Sequence, residues 1–289
     1  MKLGMNMLFW TTHVTAADYP NLERIKAAGF NGVEIPLFEG EDAHFAALRK
    51  ELDALGLACT TTTALPPEAS AISDDAARRA AAQAHLSKVV RQSAILGSGT
   101  LMGPYYHPLG EFSGGGVTED ELARGADVHR RMAEEAEKVG LRLAVEPLNR
   151  FETYVLNTAG QAAAYVRRVG HPAFGTMYDT FHANIEEKDP VAAYAENAAF
   201  FHHFHASEND RGTPGTGHVP WAETFRAVRA SGYDGWVTIE AFGRALPGLA
   251  AATRVWRDFF PSREEVYVEG GEFIRRMWAE AESPQPPPH

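Results

Sequence analysis

Short apolar runs and longer amphipathic stretches alternate along nearly the whole chain, and this alternation constrains the fold more than any other feature. Apolar runs at 2–10, 32–37, 58–65, 100–106, 142–148, 175–180, 200–206 and 236–242 read as strands. Between them, helical periodicity covers 18–28, 41–55, 74–96, 118–139, 158–169, 190–198, 221–230 and 248–258. Gly29, Gly56, Gly97, Gly140, Gly170 and Gly232 each follow a helical run, where a left-handed cap favours glycine. Strict alternation of strand and helix requires a parallel sheet, and eight units predict closure into an α/β fold, the (β/α)8 TIM barrel. An open doubly wound sheet is the competing architecture, but no G-x-G-x-x-G follows the first strand. Such barrels take about 250 residues. The chain has 289, which leaves room for loops and an additional C-terminal helix near 262–281. That helix carries Phe273, Ile274, Met277 and Trp278, which suit either the wall of its own barrel or a subunit contact. The expected organisation is one barrel domain over 1–282 and a disordered proline-rich tail, SPQPPPH, at 283–289.

Composition narrows the function classes. With 27 Lys+Arg against 38 Asp+Glu the formal net charge is −11, which argues against nucleic acid as a partner. The single cysteine, Cys59, allows no intramolecular disulfide and agrees with a reducing compartment. The opening MKLGMNMLFWTTHV does not read as a signal peptide, and no run reaches the roughly 18 apolar residues of a membrane span. The expectation is a cytoplasmic protein without a membrane partner.

Barrel enzymes carry their chemistry at the C-terminal ends of the strands. Strand five ends at Glu146, strand six at Asp179, strand seven at His205 and strand eight at Glu240. The intervals are 33 (146 to 179), 26 (179 to 205) and 35 (205 to 240), each close to one strand–helix repeat. A single acid at a strand end usually caps the next helix, and a lone buried histidine is usually a core residue. Four polar residues in phase on successive strands point instead to a divalent cation, which relieves the repulsion of three converging carboxylates. An oxygen-rich set with one imidazole suits Mn²⁺, Mg²⁺ or Co²⁺. Glu152, His182 and Arg211 follow at short intervals in the loops that rim the site. His202 should point into the barrel wall and His203 should lie one layer below His205. Glu186 and Glu187 read as solvent-facing charges at the start of the next helix. The glycine-rich stretch 211–221 sits where some barrels bind phosphate, although turn chemistry explains it equally well. Phe9, Trp10, Phe38, Tyr105 and Tyr106 lie at the other strand ends, as core or as an apolar wall.

Strands five and eight are three steps apart on a ring of eight, so Glu146 and Glu240 should face each other across the mouth. An α-hydroxy ketone between them would present opposite faces of one carbon to two carboxylates. That leans towards epimerisation, with one glutamate removing a proton and the other returning it, though either can serve only as a ligand.

The strings EPLNRFETYVLNT (146–158), MYDTFHANIEE (177–187), HFHASENDRGTPGTGHVPW (203–221) and VTIEAF (237–242) resemble the D-tagatose 3-epimerase/D-allulose 3-epimerase family of the xylose-isomerase-like barrel superfamily. The opening MKLGMNMLFWTTH and the closing GGEFIRRMW extend the likeness over nearly the whole chain. The resemblance implies one divalent cation per subunit, of the Mn²⁺ type, held by Glu146, Asp179, His205 and Glu240. It implies that Glu146 and Glu240 are the acid–base pair acting at C3 of a free ketohexose or ketopentose. It also implies that Glu152, His182 and Arg211 hold the O1–O3 end of the sugar, and that the protein is a homodimer or homotetramer. The chain departs from the family at Val14, where several members carry tryptophan, and at Ala183, where methionine is common; both departures bear on the preferred sugar.

Rival readings share the barrel. An aldose–ketose or hydroxypyruvate-type isomerase would move the carbonyl, an inosose dehydratase would release water, and an abasic-site endonuclease would need a basic face. A silent sugar-binding barrel would be marked by loss of Glu146 or Glu240.

Overall fold

The computed structural model describes residues 1–282, so the tail expected at 283–289 lies outside the described residues. Eight parallel strands close into a barrel in chain order: β1 (Lys2–Asn6), β2 (Gly32–Pro36), β3 (Ala58–Thr62), β4 (Thr100–Gly103), β5 (Arg142–Val145), β6 (Phe174–Asp179), β7 (Phe201–Ala206) and β8 (Trp236–Ile239). The ring closes where β1 pairs with β8, from Lys2↔Trp236 to Met5↔Ile239. The helices are α1 (Tyr19–Ala27), α2 (Asp42–Leu55), α3 (Ala76–Leu96), α4 (Glu119–Lys138), α5 (Ala159–Val169), α6 (Thr180–Glu186), α7 (Pro190–Asn197), α8 (Trp221–Ala230), α9 (Pro247–Ala252) and α10 (Arg263–Glu280). The fold is therefore the TIM barrel expected from the alternation. None of these helices is long and apolar enough to cross a membrane.

Local chemistry sets the boundaries. Capping boxes open α4 (Thr118 with Glu121) and α5 (Thr158 with Gln161). The six glycines picked out as helix ends all take positive φ, from 63° at Gly56 to 82° at Gly29. Several strands are shorter than expected. β1 stops at Asn6 because the Asn6 side chain accepts from Leu8 N and starts a tight turn over Met7–Phe9. β4 stops at Gly103, whose φ of 135° and approach to Thr63 leave no room for a side chain; a Cβ there would meet Thr63 O at 2.0 Å. Helix α6 was not expected, and α9 ends at Ala252 rather than near 258.

Strand side chains alternate between the outer core, under the helices, and the barrel interior. Inside, Met102, Ala144 and Met177 form a small apolar cluster of their own. Ala144 and Met177 each precede a candidate site residue by two positions, so this cluster forms the layer beneath the site. The register between β6 and β7 slips by one residue after Thr176, so that His203 and His205 pair opposite Met177 and Asp179. His202 falls at this irregularity and lies against the wall, as expected, with Nδ1 2.9 Å from Leu143 O.

Helix α10 packs on its own barrel. Ile274 is fully buried, and Phe273, Met277 and Trp278 pack against the same core. Phe273 meets Trp221 and Trp278 meets Phe225, both edge-on. Of the two roles open to this helix, the structure shows closure of its own barrel.

Candidate active site

The four strand-end residues converge. One donor atom each from Glu146, Asp179, His205 and Glu240 lies within 4.8 Å of the others, and all four residues are buried. Asp179 serves two purposes. Its Oδ1 accepts from the Phe181 and His182 N–H groups and caps α6, while Oδ2 faces the interior 3.5 Å from His205 Nδ1. This direct hand-over from strand to helix is why α6 escapes sequence reading: no polar loop separates the two elements.

His205 is aimed from below. Its Nε2 donates to Glu34 Oε1 at 2.8 Å, leaving Nδ1 towards Asp179 Oδ2 (3.5 Å), Glu240 Oε1 (3.5 Å) and Glu146 Oε1 (4.0 Å). That Nδ1 is buried and makes no hydrogen bond among the described residues. A buried imidazole nitrogen facing three carboxylates, with its other nitrogen held by a fourth, is an arrangement suited to a divalent cation. Burial disfavours charge on His205, yet Glu240, Glu34 and Asp179 outweigh it and push its pKa well above the ordinary 6.5. A proton on Nδ1 and a divalent cation are alternative responses to the same negative field. Burial together with Glu240 pushes the Glu146 carboxyl well above its usual range. For Asp179 burial acts upward too, but Arg211 and His182 prevail and hold it well below the ordinary carboxylate value.

Two supporting residues were not singled out from sequence. Glu34, on β2, is fully buried. Besides His205 it accepts from Asn6 Nδ2 (3.0 Å) and Thr60 Oγ1 (2.8 Å), and it lies 2.9 Å from His203 Nε2. His203 thus sits below His205, as expected, and shares its counter-charge. Burial would raise the Glu34 carboxyl, but the two imidazoles hold it well below its usual range. Asn6 donates at 2.9 Å to Glu240 Oε1 as well as to Glu34, so one amide fixes both carboxylates. The available signal was a glutamate at an inward position of the otherwise apolar strand GVEIP.

Glu152, His182 and Arg211 line the same cleft as Glu146 and Glu240. Arg211 takes a left-handed conformation, φ 68°, rare for a side-chain-bearing residue and frequent at functional sites. Its guanidinium lies 4.0 Å from the Phe181 ring and 4.8 Å from that of Phe242. It donates to Asp179 Oδ2 (3.3 Å), Ser207 Oγ (3.2 Å) and Glu240 Oε2. His182 Nδ1 accepts from Asn149 N at 2.9 Å, and Asn149 Nδ2 donates to Glu152. Burial holds the His182 pKa down at about 4, so the ring is neutral and carries its hydrogen on Nε2. Arg211 Nη2 stands 3.0 Å from that Nε2. Two donors thus face each other, and an acceptor oxygen entering the cleft satisfies both.

The cleft, about 80 Å³, has a polar floor and an apolar rim of Leu8, Phe38, Leu109, Phe242 and Leu249. Of the five aromatics at strand ends, only Phe38 lines it; Tyr105 and Tyr106 are fully buried core. Val14 and Ala183, the departures expected to shape the substrate wall, are buried and do not line the cleft. Glu186 and Glu187 are not solvent-facing charges opening a helix. They close α6, with Glu186 paired to Arg150 and Glu187 accepting from Ala159 N. Of the glycine-rich stretch 211–221 only Arg211 reaches the cleft. A larger cavity of about 470 Å³ lies between Arg78, His107, Glu111, Arg124 and Tyr154. Within it Arg78 pairs with Glu111, Tyr154 donates to Glu121 and Arg124 donates to Ile72 O, and it holds none of the converging residues.

Residues 22–277 match the family described as "Xylose isomerase-like TIM barrel". The chain is 33% identical over 278 residues to a probable ketose 3-epimerase of Synechocystis sp., covering 96% of this chain and 97% of the relative. It is 32% identical to a D-psicose 3-epimerase of Agrobacterium fabrum, covering 96% and 94% of the two chains. Among solved structures, a D-psicose 3-epimerase crystallised in the presence of D-fructose superposes with a TM-score of 0.89. It is 31% identical, over 96% of this chain and 99% of the other.

Proposed function

The chain belongs to the xylose isomerase-like TIM-barrel family, with ketose 3-epimerases as its relatives, and from that premise we propose that it inverts C3 of free ketoses. The substrates of this reading are D-tagatose, D-fructose/D-allulose and L-ribulose. The observation that carries it is the meeting of Glu146 and Glu240, at the ends of β5 and β8, at one buried centre beside an imidazole nitrogen that has no hydrogen-bond partner among the described residues.

The C3 hydrogen of a ketose is acidified by the neighbouring C2 carbonyl. In the proposed reaction one glutamate takes that proton as the electron pair moves into the carbonyl, giving a cis-enediolate. The other glutamate, on the opposite face, protonates C3 as the carbonyl re-forms, and the centre is inverted. A divalent cation held by Glu146, Asp179, His205 and Glu240, Mn²⁺ by preference with Co²⁺ or Mg²⁺ as alternatives, would supply the charge that polarises the carbonyl. His182 Nε2–H and the Arg211 guanidinium provide donors for the O1–O3 end of the sugar, and Glu152 an acceptor. The apolar rim excludes water from the reacting carbon. The reading also carries assembly as a homodimer or homotetramer, which sedimentation measures.

The test uses metal-stripped protein with and without Mn²⁺, incubated with D-fructose, D-tagatose or L-ribulose in D₂O and followed by NMR. The expected result is a cation-dependent C3 epimer with deuterium at C3. Aldose products would replace this reading by that of an isomerase, and absence of C3 exchange on every free ketose would overturn it.

A further inference from the structure

The loop after β7 contains a carboxylate for which the proposed chemistry has no use. Glu208 is fully buried, and four neutral N–H groups converge on it. Asn209 N (3.1 Å) and Val219 N (3.2 Å) donate to Oε1, while Gly215 N (2.7 Å) and the Trp221 indole Nε1 (2.9 Å) donate to Oε2. Burying a carboxylate is costly unless such donors replace the lost water. Gly217 closes the ring around it, because a Cβ there would sit 2.6 Å from Glu208 Oε1 and 1.9 Å from Asn209 Oδ1.

Backbone N–H groups turned inward on a loop after strand seven are what other barrels offer to a phosphoryl group. Here the chain fills that nest with its own side chain. The same residue reaches the cleft through the backbone. Glu208 O accepts from Arg211 N at 2.9 Å, and Arg211 O accepts from Phe242 N at 3.1 Å, which pins the left-handed Arg211 from both sides.

We propose that Glu208 is a positioning residue: an internal anion around which the 208–221 loop folds and which holds Arg211 in its left-handed turn. The nest it fills is a site for a small carboxylate anion once the side chain is removed. The link to turnover rests on the epimerase reading; occupancy of the nest does not.

The experiment compares wild type and Glu208→Ala, both with Mn²⁺, in acetate titrations against sodium chloride at matched ionic strength. In the variant the thermal midpoint drops, and acetate raises it saturably while leaving wild type unmoved. Its kcat/KM on D-fructose falls by about tenfold or more and recovers along the same acetate curve. Mn²⁺ affinity by calorimetry stays at the wild-type value, which a general loss of structure would not allow. A midpoint indifferent to acetate overturns the nest. A raised midpoint without recovered kcat/KM, or an unimpaired Glu208→Ala, overturns the link to Arg211. If Glu208→Ala does not fold, Glu208→Gln keeps the volume but turns an NH₂ towards two of the four donors. Reduced kcat/KM with unchanged Mn²⁺ affinity is then expected, and a Gln variant with wild-type kcat/KM overturns the proposal. Wild type without turnover on any ketose refutes the epimerase reading, while the acetate-dependent midpoint still decides the nest.

Discussion

Replacing Glu34 by glutamine tests whether the aim of His205, rather than its mere presence, makes the buried cluster a cation site. The Glu34 carboxylate accepts from Asn6 Nδ2, Thr60 Oγ1 and His205 Nε2 and lies beside His203 Nε2, so three donors and the His203 ring nitrogen share its two oxygens. Glutamine preserves the volume but offers one oxygen and one NH₂ group, so donors on one side then face donors. If the NH₂ turns towards His205, Nε2 must become an acceptor. The ring hydrogen then moves to Nδ1 and blocks the lone pair that faces Asp179, Glu240 and Glu146. If the oxygen turns towards His205, Thr60 loses its acceptor and His203 the carboxylate charge beside it. Losing a group that orients a ligating imidazole weakens metal binding by about 10–100-fold, which corresponds to about 1.4–2.7 kcal/mol. Calorimetric titration of Mn²⁺ into metal-stripped wild type and Glu34→Gln reads this difference without reference to turnover. Circular dichroism verifies that the variant is folded. Equal affinities in a folded Glu34→Gln would refute the reasoning.

Further outcomes follow from the same geometry. Glu240→Gln should lower epimerisation and C3 exchange in D₂O by about 10²–10⁴-fold, the usual contribution of a positioned acid or base; full activity would sink the two-carboxylate mechanism. Arg211→Ala should raise KM by about tenfold or more through lost charge-assisted hydrogen bonds while cation content is unchanged; loss of the cation would mean that Arg211 supports the carboxylates rather than the sugar. Far from the site, burial holds His129, between Tyr165 OH and Tyr105 O, down at about 4 from its ordinary 6.5. Between those values the unfolded chain binds a proton that the folded chain refuses, so stability is lost as pH falls through the window, by about 3 kcal/mol. Urea unfolding from about pH 7 to about pH 4.5 measures the slope, and a His129→Gln variant with an equally steep slope contradicts this assignment.

What was legible in the sequence shares one property: it recurs with the period of the fold. Glu146, Asp179, His205 and Glu240 could be found because each strand–helix unit presents its last inward residue at the same height. Asn6 and Glu34 keep the same repeat, 28 residues apart and paired in register across β1 and β2, but an amide and a lone carboxylate do not by themselves read as a ligand set. The partners that give them meaning lie far along the chain, 234 residues away for Asn6 with Glu240 and 171 for Glu34 with His205. A glutamate inside a strand reads locally as an interruption of an apolar run. Helix α6 was hidden because Asp179 ends a strand and caps a helix at once. The loop at 211–221 misled in another way, since a nest built for an internal carboxylate has the composition of one built for a ligand. Val14 and Ala183 differ from the family pattern, but sequence alone does not tell a position that touches the cleft from one behind it.

Closure of the ring through β1 and β8 has a consequence for biosynthesis. The ribosome delivers Asn6, Glu34 and Thr60 first, while every member of the converging quartet lies in the second half of the chain. Until His203 and His205 emerge, the Glu34 carboxylate has neither of the imidazoles that stabilise its charge, and a nascent half-barrel that buried it would bear the full desolvation penalty. Glu34 meets both imidazoles only with β7, and Glu240 follows only at the end of β8, so the converging quartet is complete only with the last strand of the barrel.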